Sequence, residues 1–417
     1  YHGYDVTDYY AVNSDFGTMA DYENLVTKAH EKGIKVIIDL VVNHSSDQHP
    51  WFKEGAAFRN GQGGSSKYSS YYNWSSTEQP KYSKIGNVYY ESQFDKSMPD
   101  FNIEGTALRE EVGNIIKFWI DDKKTDGFRL DGCYYYSSEG TGKSAEFCEF
   151  IHDTAVKYNE NAYIVGECWG PPRSILKSTF YQSGVNSFFD FEVTGEVVKA
   201  VNNNSSTSIW NSINKNFDSA DGNIAAPFLS NHDNGKGRVA GQVGREADKI
   251  KFAYGLLSMF SGNTFTYYGD EIGMTAVKPQ SDPDLRIGIL WDDIENVTTP
   301  PFGASEKSEY LFGSVKSQQK DESSILSYYK LCNNARNAFP ALMRGVPEKI
   351  DYDDREVLIM KKTYQGQSVT VVINTGLGDK KVNGVEGALA QSICVDGNIS
   401  KKGSALKMPA RSIAILT

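Results

Sequence analysis

Short apolar runs alternate with helical patterns over the first three quarters of the chain. Residues 34–42 (IKVIIDLVV) are β-branched and read as a buried strand. Before them, residues 18–33 carry apolar positions at Tyr22, Leu25, Val26 and Ala29, which is helical spacing. Thr18 and Asp21 form a capping box at its start, and Gly33 is a stop signal. Leu108, Val112, Ile115, Ile116, Trp119 and Ile120 predict a second helix, and Phe147, Phe150, Ile151 and Ala155 a third. Strand candidates lie at 126–131, 162–166, 187–191, 227–230 and 264–268. This alternation predicts an α/β fold with a parallel sheet and outer helices. Over this length a (β/α)8 TIM barrel leads.

Two stretches break the rhythm. Residues 45–98 are long, polar and rich in Gly, Ser and Tyr, too long for an ordinary connection. They predict an inserted subdomain. From residue 343 the pattern changes to short alternating runs (VLIMKK, SVTVVINT, SIAILT), which predict an antiparallel β-sandwich. The expected division is barrel over 1–44 and 99–339, insert over 45–98, and a C-terminal domain over 340–417.

The 417 residues suffice for one large domain and a smaller one, and the net charge is −10. An acidic chain with no basic tract argues against nucleic acid or anionic membrane as partners. Five cysteines, at 133, 148, 168, 332 and 394, form neither a disulfide framework nor a CxxC metal pair. No apolar run approaches the roughly 18 residues that span a bilayer.

Four strand candidates end in polar residues after an apolar run. The endings are Asp39/Asn43/His44, Arg129/Asp131, Glu167, and His232/Asp233. Strand C-termini in a parallel barrel open on one face, where catalysis occurs. Taken singly, each acid reads as a helix cap or a loop solubiliser. Their flanking segments, DLVVNH, GFRLD, VGEC and LSNHD, change that balance.

In this order and company, the segments resemble the motifs of the α-amylase family, glycoside hydrolase family 13. The resemblance runs from YHGYDVTDY at residue 1 to about GDEIGM at residue 269, with MPDFN (98–102) similar to a fifth motif. It implies Asp131 as nucleophile, Glu167 as general acid/base and Asp233 as transition-state stabiliser. It further implies hydrogen bonds from His44 and His232 to sugar hydroxyls, and Tyr4 as an aromatic platform under the sugar. Asn43 and Asp100 match its calcium positions, so Ca2+ is a candidate cofactor. MPDFN departs from the LPDLD of many relatives, which leaves that ion open.

The chemistry requires these residue types. Retaining cleavage needs an attacking carboxylate and a protonating carboxylic acid about 5–5.5 Å apart. Arg129, two residues before Asp131, points to the same strand face and is expected to hold the Asp131 pKa down. Glu167 must stay protonated, and Trp169 is a candidate apolar wall for it. Plain packing explains Trp169 equally well.

Relatives usually follow the nucleophile with a Lys-His pair. Here those positions are Tyr134 and Tyr135, either sugar-stacking groups or packing residues. The Asp that oligo-1,6-glucosidases carry three residues before the platform tyrosine is replaced by Tyr1, which favours long substrates. Cleavage of α-1,4 bonds in starch or maltodextrin is therefore expected. Oligo-1,6-glucosidase or neopullulanase-like activity is the alternative, and a non-catalytic sugar-binding relative a third reading. The resemblance also implies two strands and a helix ahead of YHGY. The chain is thus expected to be an N-terminally truncated member, and the function stated is that of the intact enzyme. A monomer, extracellular or at the cell surface, is expected, because polymeric starch does not enter a cell.

Overall fold

The computed structural model describes residues 2–233, 235–276, 282–293, 299–304 and 310–417. They fall into two compact units, His2–Phe189 and Asp190–Thr417.

The first unit begins with α1 (Met19–Glu31). The expected capping box is present: Thr18 accepts from Asp21 N, and the Asp21 carboxylate accepts from Thr18 N at 2.8 Å. Gly33, at φ 72°, ends the helix in a left-handed conformation that glycine tolerates. Of the predicted apolar face, only Val26 is fully buried, and Leu25 is exposed. Strand β1 (Ile37–Leu40) follows. Next come α2 (Pro50–Arg59) and the short strands β2 (Trp74–Ser75), β3 (Tyr82–Ile85) and β4 (Val88–Glu91). These strands make a three-stranded antiparallel sheet in the order β2-β4-β3. Trp51, Phe52, Tyr71 and Tyr72 are buried against one another, so these aromatics of the insert are core and not sugar platforms.

The chain then returns through α3 (Thr106–Lys117), β5 (Gly127–Leu130), α4 (Thr141–Tyr158), β6 (Tyr163–Gly166), α5 (Arg173–Ser178) and β7 (Ser187–Asp190). Strands β1, β5, β6 and β7 pair in parallel in that order. Asp39 sits opposite Arg129, and Arg129 opposite Val165. Two glycines permit this spacing. A Cβ on Gly127 would meet the Tyr163 carbonyl oxygen, and one on Gly166 would strike the Phe188 ring.

In the second unit, α6 (Glu192–Asn203) and α7 (Ser206–Ser219) precede β8 (Ala226–Pro227), then α8 (Val239–Gln242) and α9 (Ala247–Leu257). The strand expected at 264–268 shrinks to a single parallel bridge, Phe228 to Phe265. Helices α10 (Val315–Gln318), α11 (Ile325–Ala338) and α12 (Pro340–Arg344) lead into the C-terminal strands. These are β9 (Val346–Ile350), β10 (Val357–Tyr364), β11 (Gln367–Asn374), β12 (Lys380–Val382), β13 (Leu389–Cys394), β14 (Ser400–Lys402), β15 (Ala405–Met408) and β16 (Ser412–Leu416). They form a five-stranded antiparallel sheet, β13-β16-β11-β10-β9, and a three-stranded one, β12-β15-β14.

Alternation explains how the five-stranded sheet is buried on both faces. Leu358, Met360, Val371, Ile373, Ile413 and Ile415 join the cluster containing α9 and α11. Their neighbours Val357, Ile359, Val372, Ala414 and Leu416 pack with Val382, Leu406 and Met408 of the smaller sheet. Lys362 continues this pattern inward and is fully buried. Its Nζ donates to the carbonyls of Met259 and Leu342.

Candidate active site

The ends of the parallel strands converge on one guanidinium. The ladder sets this up: Asp131 N reaches Leu40 O, Glu167 N reaches Leu130 O at 2.9 Å, and Cys133 N reaches Glu167 O at 3.0 Å. The turns after β5 and β6 are therefore tied together. Arg129 Nη1 lies 2.6 Å from Asp131 Oδ1, and its Nη2 lies 2.7 Å from Glu167 Oε2. Nη1 also meets Asp39 Oδ1 at 3.3 Å. The Tyr4 ring lies beneath the guanidinium, 5.5 Å from its centroid to Arg129 Cζ, and the Tyr4 hydroxyl donates to Asp39 at 2.9 Å. The structure thus brings together Tyr4, Arg129, Asp131 and Glu167, and adds Asp39.

Electrostatics here follow burial more than pairing. Burial drives the Asp131 carboxyl up to about 7; Arg129 opposes this, and Glu167 and Asp39 reinforce it. The expectation that Arg129 would hold Asp131 low is thus outweighed by desolvation. For Arg129 itself burial works against the charge, but Asp39, Glu167 and Asp131 together outweigh it and keep the guanidinium protonated.

Glu167 is held differently from expectation. Its Oε2 accepts from Arg129 and from Gly132 N at 3.0 Å. Trp169 does not wall this carboxyl off: it is 56% exposed and meets Tyr135, ring centres 6.0 Å apart. Tyr135 also contacts Phe94 edge-on, and Phe94 contacts His44. Tyr134 packs on Tyr135 and Phe180.

His44 is buried, and burial lowers its pKa to about 4, so the ring is neutral. Its Nε2 lies 2.9 Å from the Tyr4 carbonyl, which can only accept. The ring proton is therefore on Nε2, and Nδ1 accepts from Asn43 Nδ2 at 3.1 Å. The direct bond from His44 to a sugar hydroxyl, expected from the motif, is not available while this contact lasts. Asn43 Nδ2 also donates to Asp100 Oδ1 at 3.1 Å. Asp100 Oδ2 accepts from Gln93 N at 2.9 Å, and Gln93 Nε2 donates to the Tyr135 carbonyl at 3.0 Å. A continuous hydrogen-bonded line thus joins Tyr4 to Tyr135.

That line bears on calcium at these two residues. Calcium needs converging oxygen acceptors. Asn43 presents its amide N–H, and both Asp100 oxygens already hold donors. Burial raises the Asp100 pKa to about 7. Among the described residues no group of three or more His, Cys, Asp and Glu side chains is arranged to hold a metal. Asn43 and Asp100 as arranged do not fit the ion, and no chemistry is assigned to it.

In the second unit, Asp233 Oδ1 meets Arg286 Nη2 at 2.7 Å and Asp233 Oδ2 meets His232 Nε2 at 3.0 Å. Asp39, one of the polar strand endings, stands in the site where its motif points. Arg286, Gln93 and Phe94 carry no local signal in the sequence. Tyr1 lies outside the described residues.

A buried arginine joins carboxylates at successive parallel strand ends, an arrangement suited to acid/base chemistry. The sequence profile of the α-amylase catalytic domain matches residues 1–345, and the chain belongs to that family. It is 35% identical over 389 residues to "Alpha-amylase 3" of Dictyoglomus thermophilum, covering 90% of this chain and 74% of that protein. It is 26% identical over 462 residues to an oligo-1,6-glucosidase of Halalkalibacterium halodurans, covering 89% and 80% respectively. Among solved structures, Eubacterium rectale Amy13B matches with a TM-score of 0.91 at 30% identity, over 100% of this chain and 85% of that one. The α-amylase from H. orenii matches at 0.85 and 28%, over 100% and 86%. The fold class is accordingly the (β/α)8 barrel with a C-terminal antiparallel domain, and the protein is a glycoside hydrolase.

Proposed function

We propose that this hydrolase cleaves α-1,4-glucosidic bonds of starch and maltodextrins with retention, through a covalent glycosyl-enzyme intermediate. The observation that carries the reading is the single Arg129 guanidinium gripping Asp131 and Glu167 on its two terminal nitrogens. This keeps the two carboxyl groups close, as attack by the enzyme itself requires.

Asp131 attacks the anomeric carbon as a carboxylate. The bond to the leaving oxygen breaks as Glu167 gives that oxygen its proton. Glu167, now ionised, takes a proton from water, and the resulting hydroxide displaces Asp131. Asp233, held by Arg286 and His232, is assigned to stabilising the positive charge that develops on the sugar ring. Tyr4, fixed by Asp39, offers its ring as a sugar platform, and Trp169, Tyr134 and Tyr135 line the leaving-group side. The α-1,4 preference draws on the similarity to "Alpha-amylase 3" and to the H. orenii α-amylase. The proposed division is that of the sequence: insert at 45–98, C-terminal domain at 340–417. Action on polymeric starch places the work outside the cell.

Product analysis on maltoheptaose, isomaltose and pullulan tests the reading. Internal cleavage of maltoheptaose with retained anomeric configuration is expected. Glucose release from isomaltose without cleavage of maltoheptaose sinks it and favours the oligo-1,6-glucosidase alternative.

A further inference from the structure

Arg238, five residues past Asp233, is fully buried. A guanidinium taken out of water must find partners for its donors. Here they are mostly backbone. Nη1 donates to the Tyr268 carbonyl at 2.5 Å, and Nη2 donates to the Leu285 carbonyl at 3.0 Å. Nη1 also lies 3.4 Å from Oδ1 of the buried Asp270. The rings of Tyr267 and Tyr268 pack on the cation, their centroids 4.3 and 4.9 Å from Arg238 Cζ. The chemistry assigned above uses none of these three side chains.

What they hold is the segment around Arg286. The Leu285 carbonyl accepts from Arg238 and also from the Tyr267 hydroxyl at 3.1 Å. The Ile287 carbonyl accepts from the Tyr268 hydroxyl at 2.8 Å. Arg286 therefore sits between two anchored carbonyls, and its own N–H closes a turn on the Pro283 carbonyl at 3.0 Å. Residues 286–290 belong to no helix or strand, so no ladder fixes them and side-chain donors do that work instead.

The far end of Arg286 reaches Asp233, Nη2 to Oδ1 at 2.7 Å. The Asp233 side chain is 46% exposed, and a carboxylate this open changes rotamer unless it is held. We propose that Arg238, Tyr267 and Tyr268 are positioning residues for Asp233. They form a pedestal that acts through Arg286 and keeps the carboxylate aimed at the developing positive charge. This rests on the role assigned to Asp233 above.

A double-mutant cycle in the full chain, read on maltoheptaose, tests the pedestal. Tyr268→Phe removes one hydroxyl and frees the Ile287 carbonyl. It is expected to lower kcat about tenfold with KM within about twofold, because Asp233 acts on charge present only in the transition state. Its melting temperature is expected to stay within about 4 °C of wild type, as one hydrogen bond is lost. In an Arg286→Ala background, Tyr268→Phe is expected to change kcat less than about twofold, since the link it serves is already cut. Losses that multiply in the double variant, a change confined to KM, or an unchanged kcat in Tyr268→Phe overturn the pedestal. If Tyr268→Phe does not fold, Tyr267→Phe, which takes one donor from the Leu285 carbonyl, replaces it in the cycle. A wild-type enzyme inert on maltoheptaose that releases glucose from isomaltose overturns the α-1,4 reading alone, and the same cycle on isomaltose then decides the pedestal. A wild-type enzyme inert on both substrates overturns both.

Discussion

Replacing Asp131 by asparagine should abolish hydrolysis and yet stabilise the fold, by an amount that depends on pH. The Asp131 carboxyl is raised by burial from 3.8 to about 7. A carboxyl raised on folding binds its proton more tightly in the native state. Its contribution to stability is therefore complete below pH 3.8, declines between pH 4 and 7, and is gone above 7. The full decline corresponds to about 4 kcal/mol, already net of the attraction of Arg129. The side chain is 14% exposed, and solvent at the site mouth trims this to about 2 kcal/mol. The amide introduced by Asp131→Asn mimics the neutral acid at every pH. Urea unfolding of both proteins at pH 4.5 and pH 8 should give near-equal stabilities at the lower pH. At the higher pH the variant should be about 2 kcal/mol more stable. A difference that does not change with pH, or a variant less stable at pH 8, refutes the argument that burial outweighs Arg129.

Under the proposed role of Asp131 as nucleophile, the same titration governs catalysis: kcat/KM on maltoheptaose should drop as pH falls below about 7, and a flat profile down to pH 5 would contradict this. Glu167→Gln should slow turnover at least about a thousandfold, about 4 kcal/mol, while calorimetry still detects maltoheptaose binding; unchanged turnover rejects the acid/base role. Gln93→Ala cuts the link between Lys81 and the Tyr135 carbonyl and should cost about 1–2 kcal/mol in urea unfolding. Lys362→Ala orphans the buried carbonyls of Met259 and Leu342 and should cost about 2–4 kcal/mol; a loss under about 0.5 kcal/mol would mean that water takes over both bonds.

Local signals were the readable ones. The α1 capping box and the polar ends of β1, β5 and β6 each lie within a few residues of sequence, and each stands where its pattern points. What escaped depends on distant partners. That one arginine grips both Asp131 and Glu167 follows from strand register, which no periodicity reports. Lys362, in the run VLIMKK, looks like a solvent-facing lysine; it is buried because the sheet is covered on both faces. The strand read at 264–268 is apolar enough, yet only Phe265 finds a parallel partner. The contact of His44 Nε2 with the Tyr4 carbonyl, forty residues earlier, leaves no trace in the motif.

The line of hydrogen bonds from the Tyr4 carbonyl through His44, Asn43, Asp100 and Gln93 to the Tyr135 carbonyl has a bearing on affinity measurements. Its ends support rings assigned to sugars on opposite sides of the scissile bond. Under the proposed roles, sugars on the two sides rest on the two ends of one hydrogen-bonded line. A break at Asn43 or Gln93 is therefore expected to disturb both sides together; fragment affinities measured for each side in Gln93→Ala check this.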